Sequence, residues 1–197
     1  MYDAPAVTTR PQATLCALLL VLLWSPFAGA TVTQGLELPD LTAQAQRVVV
    51  GRVTHSQPQW DPDGMRIFTA HTVDVTESLK GATSTSVTVF TWGGTVGELG
   101  QRVLGEPDLQ PGDEAVFFLE QSPVAGAHRV VGLAQGVWRV SRGTQGRVWV
   151  SRTASRLMLR VPGRTAGTFA TVADVGVAAV TLEDFRAQVL LLGGARP

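Results

Sequence analysis

Arg47-Val48-Val49-Val50-Gly51-Arg52-Val53-Thr54-His55 and Ile67-Phe68-Thr69-Ala70-His71-Thr72-Val73-Asp74-Val75-Thr76 decide the fold. Both are rich in β-branched residues and alternate, as strands do when successive side chains point to opposite faces. In the second, Ile67, Thr69, His71, Val73 and Val75 share one face, and Phe68, Ala70, Thr72, Asp74 and Thr76 the other. Neither face is wholly apolar, which is expected of a strand that bends between two packing environments, as barrel strands do. Between the two runs, Ser56 to Gly64 carries Pro58, Pro62 and Asp63-Gly64 and reads as the long loop of a hairpin.

Upstream, Asp40 stands as N-cap before Leu41-Thr42-Ala43-Gln44-Ala45-Gln46, which predicts one or two helical turns leading straight into the first strand. Downstream, Glu77-Ser78-Leu79-Lys80-Gly81 ends the second strand, and Ser86 to Trp92 alternates as a third until Gly93-Gly94 stops it. The glycine-rich stretch from Thr95 to Gln110 reads as a long connection. Pro111-Gly112-Asp113-Glu114 is a turn, and the apolar run Ala115-Val116-Phe117-Phe118-Leu119-Glu120 is that of a central strand. Arg129 to Leu133, Gly136 to Val140 and Arg147 to Val150 add short strands, whereas Ser151 to Ala179 carries no clear pattern. Thr181 to Leu191 reads as an amphipathic helix with Thr181 as N-cap, acids in its first turn and Gly193 beyond its end. Short hairpins, a glycine-rich crossing and a terminal helix predict a mainly β chain, folded as a closed or partly open small barrel with a C-terminal helix.

The first thirty residues predict an export signal. After Asp3 and Arg10, Ala13 to Trp24 is an apolar run shorter than the roughly 20 residues a membrane-spanning helix needs. Ala28-Gly29-Ala30 supplies the small residues a signal peptidase requires, which places cleavage after Ala30. The expected division is a signal peptide over 1–30 and a single domain over 31–197, secreted or periplasmic, with no membrane span in the mature chain. Residues 151–179 of that domain stay unassigned. Cys16, the sole cysteine, leaves with the signal, so the mature chain has no thiol for a disulfide, a metal or a nucleophile. Formal charge is balanced, Lys80 is the only lysine, and the arginines are scattered. No basic stripe forms, and a nucleic-acid partner is not expected.

His55, His71 and His128 lack the helical or short-loop spacing of a zinc set and are expected at the surface or barrel rim. Asp61-Pro62-Asp63-Gly64 lacks the closing glutamate of a calcium loop and reads as a turn. Gly93-Gly94 is not followed by Gly-Lys-Ser/Thr, and no serine sits in Gly-x-Ser-x-Gly or Ser-x-x-Lys. Glu77, Glu98 and Glu114 have ordinary places at a strand end, in a loop and in a turn. No catalytic residue, metal or cofactor is therefore assigned. Trp92, Trp138 and Trp149 fall in strands as packing residues, but Trp60 falls in the polar hairpin loop. There an indole either tucks back onto the barrel or is offered to a partner.

Ala45-Gln46-Arg47-Val48-Val49-Val50-Gly51-Arg52-Val53, then Asp63-Gly64, then Thr72 to Leu79-Lys80-Gly81, resembles the opening of the netrin-like barrels that include tissue inhibitors of metalloproteinases. Pro111-Gly112-Asp113 followed by Val116-Phe117-Phe118-Leu119 is similar to that family's turn and central strand, and the likeness covers residues 43 to 140. The resemblance implies an OB-like barrel. In those inhibitors an N-terminal cysteine chelates the protease zinc. Here the mature chain would begin at Thr31 without any cysteine, and that wedge is not carried over.

The expected function is a secreted, non-enzymatic module that binds another secreted or surface protein, a protease among the candidates. Gln57, Trp60, Asp61 and Asp63 of the hairpin loop are the expected contact residues. Protease inhibition by a cysteine-free mechanism and a cryptic hydrolase or metalloenzyme are the alternatives.

Overall fold

The computed structural model describes residues 32–122, 124, 126–143, 146–152, 158–160, 169–171 and 179–194. The proposed signal peptide lies outside them, as does most of the unpatterned stretch 151–179. The chain is mainly β and closes a five-stranded barrel. β2 (Arg47–Trp60) pairs antiparallel with β3 (Ile67–Lys80), and β3 with β4 (Ser86–Val96). β4 then runs parallel to β7 (His128–Val130), which pairs with β6 (Glu114–Gln121), and β6 returns to β2. This is the OB-like barrel expected, with a C-terminal helix, α2 (Leu182–Gly194), outside it. β8 (Val137–Arg142), β9 (Val148–Arg152) and β12 (Val180–Thr181) extend the sheet outward from β6. β1 (Val32–Gln34) pairs parallel with β10 (Met158–Arg160), and β10 pairs with β11 (Phe169–Thr171).

Along Val48 to Gly51 of β2 and Ala115 to Leu119 of β6 the barrel wall is buried on both sides, which explains the unbroken apolar runs there. Val49, Val53, Val73, Val89, Phe117 and Leu119 fill the barrel interior with Leu109. Val48, Val50, Val116 and Phe118 face outward and pack with Leu41, Trp138, Phe185 and Val189 beneath the helices. Trp138 and Phe185 lie 4.7 Å apart, centroid to centroid.

The helix before β2, α1 (Leu38–Gln44), starts earlier than expected: Glu37 is its N-cap, and Asp40 sits in the first turn accepting the Glu37 N–H at 3.1 Å. Leu79-Lys80-Gly81 docks this helix. Leu79 is buried in the outer core, Lys80 Nζ donates to the Thr42 carbonyl at 2.6 Å, and a Cβ on Gly81 would stand 2.5 Å from the Gln46 carbonyl oxygen. The C-terminal helix is capped as the sequence predicts, Asp184 N–H donating to Thr181 Oγ1 at 3.1 Å, but it runs through Gly193.

The hairpin between the first two strands departs most from expectation. β2 and β3 are each 14 residues long, and the turn is only residues 61–66. Ser56 to Trp60 is therefore strand, paired residue for residue with His71 to Ile67. Proline is tolerated there because of its parity. The Asp61 N–H donates to the Arg66 carbonyl at 2.8 Å, so by alternation Gln59, Gln57 and His55 bond toward β3, while Ser56, Pro58 and Trp60 present their backbones to the outer edge. Pro58, lacking an N–H, costs no internal bond there. The expected connection from Thr95 to Gln110 also holds a strand, β5 (Leu99–Arg102), folded back on β4. The expected strand Arg129 to Leu133 stops at Val130, and a 3-10 turn spans Leu133–Gly136.

Candidate functional site

A cleft of about 530 Å³ opens where β4 leaves the barrel. Its floor is the inner face of β2 and β3, with Ser56, Pro58, Thr69 and His71, and its far wall is the segment Val103–Pro111. Gly93 and Gly94 make it possible. Their φ angles are 103° and 138°, and a Cβ on Gly94 would lie 2.6 Å from Thr69 Oγ1 and 2.9 Å from Pro58 Cβ. Only glycine lets β4 cross this close to the floor.

As β4 curls away, backbone donors lose their strand partners, and side chains of the returning segment take over. Gln101 Oε1 accepts the Ile67 N–H at 2.6 Å. Past the end of β7, the Glu106 carboxyl accepts the Trp92 N–H. Burial nonetheless pushes the Glu106 carboxyl up to about 7, against the opposing pull of that hydrogen bond and of Arg129. Arg139 ties the segment down, with Nη1 2.6 Å from Asp113 Oδ1 and Nη2 donating to the Asp108 carbonyl at 2.8 Å.

His71 is 3% exposed, not the rim residue expected, and both ring nitrogens are engaged. Nδ1 lies 2.8 Å from Ser56 Oγ and Nε2 2.9 Å from Thr91 Oγ1. Burial holds its pKa down to about 4, although Asp108 and Asp113 pull it upward. A nucleophile beside an oriented imidazole has the outline of a serine catalytic pair. So acidic a conjugate acid, however, makes a weak base at neutral pH, and Ser56 gains little nucleophilicity from it. The cleft thus offers hydroxyl, amide and carboxyl groups for binding. His55 lies exposed on β2 and His128 half-buried on β7, and among the described residues no three His, Cys, Asp or Glu side chains gather as a metal site.

The four residues expected to contact a partner are not one surface. Trp60 shares the cleft-facing side of β2 with Ser56 and Pro58 and is 39% exposed, whereas Gln57 points to the opposite face and Asp63 is exposed at the turn. Asp61 is buried and structural. Its Oδ1 accepts the Met65 and Arg66 N–H groups at 2.8 and 3.0 Å, and its Oδ2 accepts Arg66 Nε at 3.2 Å. These bonds, led by the Arg66 N–H, hold its carboxyl below the usual range. Arg66 in turn lies 4.2 Å over the Trp92 ring and links the turn to β4. Asp61→Ala is therefore expected to lower Tm by several degrees and to speed amide exchange at Met65 and Arg66, read by thermal melts and hydrogen exchange.

Glu106, Gln101 and the buried state of His71 escaped the sequence reading because their partners lie in other strands. The one sequence cue was Gly93-Gly94, expected to stop the strand; β4 instead runs through the pair to Val96, and the two glycines mark the close approach to the cleft floor. Compared with known proteins, the chain matches no family model and no curated protein.

Proposed function

We propose that this chain is an exported, non-catalytic binding module, as the netrin-like resemblance implies, and that the cleft-bearing end of its barrel contacts another secreted or surface protein. One observation carries the reading. Trp60, Met65 and Leu99 are 39%, 78% and 61% exposed at the tips of two hairpins that project from the same end of the barrel. Large apolar side chains gathered in water at one end are what a partner would cover, and aromatic anchors dominate such contacts. The weak basicity that burial gives His71, the partner of Ser56 Oγ and Thr91 Oγ1, supports binding over catalysis.

The test compares the immobilised chain with the triple variant Trp60→Ala, Met65→Ser, Leu99→Ser in the extracellular fraction of the native host. The parent is expected to retain a protein that the variant retains about tenfold less. Identical retention by both would reject this surface. Trp60→Ala alone is expected to cost no more than about 1 kcal/mol of stability, because the indole is already partly in water. A larger loss in urea titration would make Trp60 a packing residue.

A further inference from the structure

The outer edge of β2 beyond the barrel gives this contact surface a specific chemistry. β6 pairs with β2 only from Arg47 to Arg52, and the last bonds on that side are Val53 N–H to the Asp113 carbonyl at 2.8 Å and Gly112 N–H to the Val53 carbonyl at 2.7 Å. From Ser56 to Trp60, no strand among the described residues lies beside the edge. Two observations fix which groups face outward. The Asp61 N–H donates to the Arg66 carbonyl, and Ile67 turns its N–H away from β2, where Gln101 of β5 accepts it. The N–H and C=O of Ser56 and Trp60, with the C=O of Pro58 between them, therefore point away from β3.

The cleft opens against this edge, with Ser56 and Pro58 on one side and Gln110 and Pro111 on the other. Two of its acidic side chains, Glu106 and Asp108, make no ion pair among the described residues; burial leaves Glu106 partly protonated near neutrality, so the standing charge is that of Asp108, whose field already reaches His71. Arg102 is the one cation among the lining residues, and it is exposed. Pro58 disfavours a second copy of the same edge as occupant, because two such edges facing one another would each lack a donor. A different segment loses only one bond of the ladder.

We propose that the partner presents an extended segment that adds to β2 between Ser56 and Trp60 and lays a basic side chain into the cleft beside Glu106 and Asp108. Backbone pairing supplies the affinity and the cleft supplies the side-chain preference. This rests on the protein-binding reading above and names the form its partner takes.

The probe is a capped pentapeptide, Thr-Val-Arg-Val-Thr, with two controls: glutamate in place of arginine, and N-methylation along one edge. With the full chain and the arginine peptide at millimolar concentration, amide exchange at Ser56 and Trp60 is expected to slow about tenfold while that at Gln57 stays unchanged. The glutamate peptide is expected to bind about tenfold more weakly, a preference that Asp108→Asn reduces, and the N-methylated peptide not at all. Unchanged exchange at Ser56 and Trp60, or equal binding of the arginine and glutamate peptides, overturns the proposal. So does a dimer of the chain alone with those two amides protected. If the peptide fails while the hairpin-tip variant still loses its partner, the edge is rejected and the binding reading stands. If the peptide binds and both chains retain the same proteins, the hairpin-tip surface fails instead.

Discussion

Phe117→Ala is expected to lower stability by about 3–5 kcal/mol, the largest single effect anticipated in this molecule. Phe117 is fully buried on β6, inside the barrel with Val49, Val53, Val73 and Leu119. β6 is held on both sides, by β2 and by β7 and β8, so the wall cannot collapse into the space left behind. Leu109, from the segment that walls the cleft, packs in the same core. The variant should therefore also expose the backbone of residues 103–111 to faster amide exchange. A shift of the urea midpoint at constant m-value gives the first quantity. A loss below about 1 kcal/mol would mean that the barrel closes less tightly than its strand pairing indicates.

The second large effect is a pH dependence that the native chain conceals. His71 has its pKa lowered by burial from 6.5 to about 4. Its contribution is present above 6.5 and is lost as pH falls toward 4, because the unfolded chain then binds the proton more readily. Burial also lowers the pKa of His128, which acts in the same direction. Glu106 does the opposite. Its pKa rises from 4.5 to about 7, so its contribution is greatest below 4.5 and is lost as pH rises through about 7. The two slopes oppose each other across the same window, and the parent protein should show a nearly flat stability between pH 4.5 and 6.5.

Glu106→Gln removes the falling component and keeps an acceptor for the Trp92 N–H. Its stability is expected to climb with pH across that window by on the order of 2 kcal/mol, after allowance for solvent screening. His71→Gln should give the reverse slope. Urea midpoints measured at half-unit pH steps read both, and a Glu106→Gln profile parallel to the parent would refute the opposition.

Much of this architecture is written locally. The alternation of β3, the apolar run of β6 and the Thr181 cap each concern neighbours in the chain, and all three are present, although the C-terminal helix runs on through Gly193. The error at Ser56 to Gly64 has a definite source. Pro58 is a loop signal in its local sequence, yet proline is excluded only where its missing N–H would face a partner strand, and that parity is set by the pairing with β3. The candidate site was the least legible part. Trp60 stands out in the sequence and does stand on the cleft-facing side, but Glu106 matters only because it reaches Trp92 across the barrel seam.

By itself the sequence determined that this chain forms alternating strands enough for a small barrel, with a helix at each flank, because period, caps and turn residues act over a few positions. The tertiary structure alone decided where β2 ends, which of its backbone groups are left open, and why a histidine and a glutamate in one cleft titrate on the wrong sides of each other. Barrel closure is the physical reason. It joins residues distant in the chain, and hydrogen-bond parity and desolvation are properties of the closed wall rather than of any segment of it.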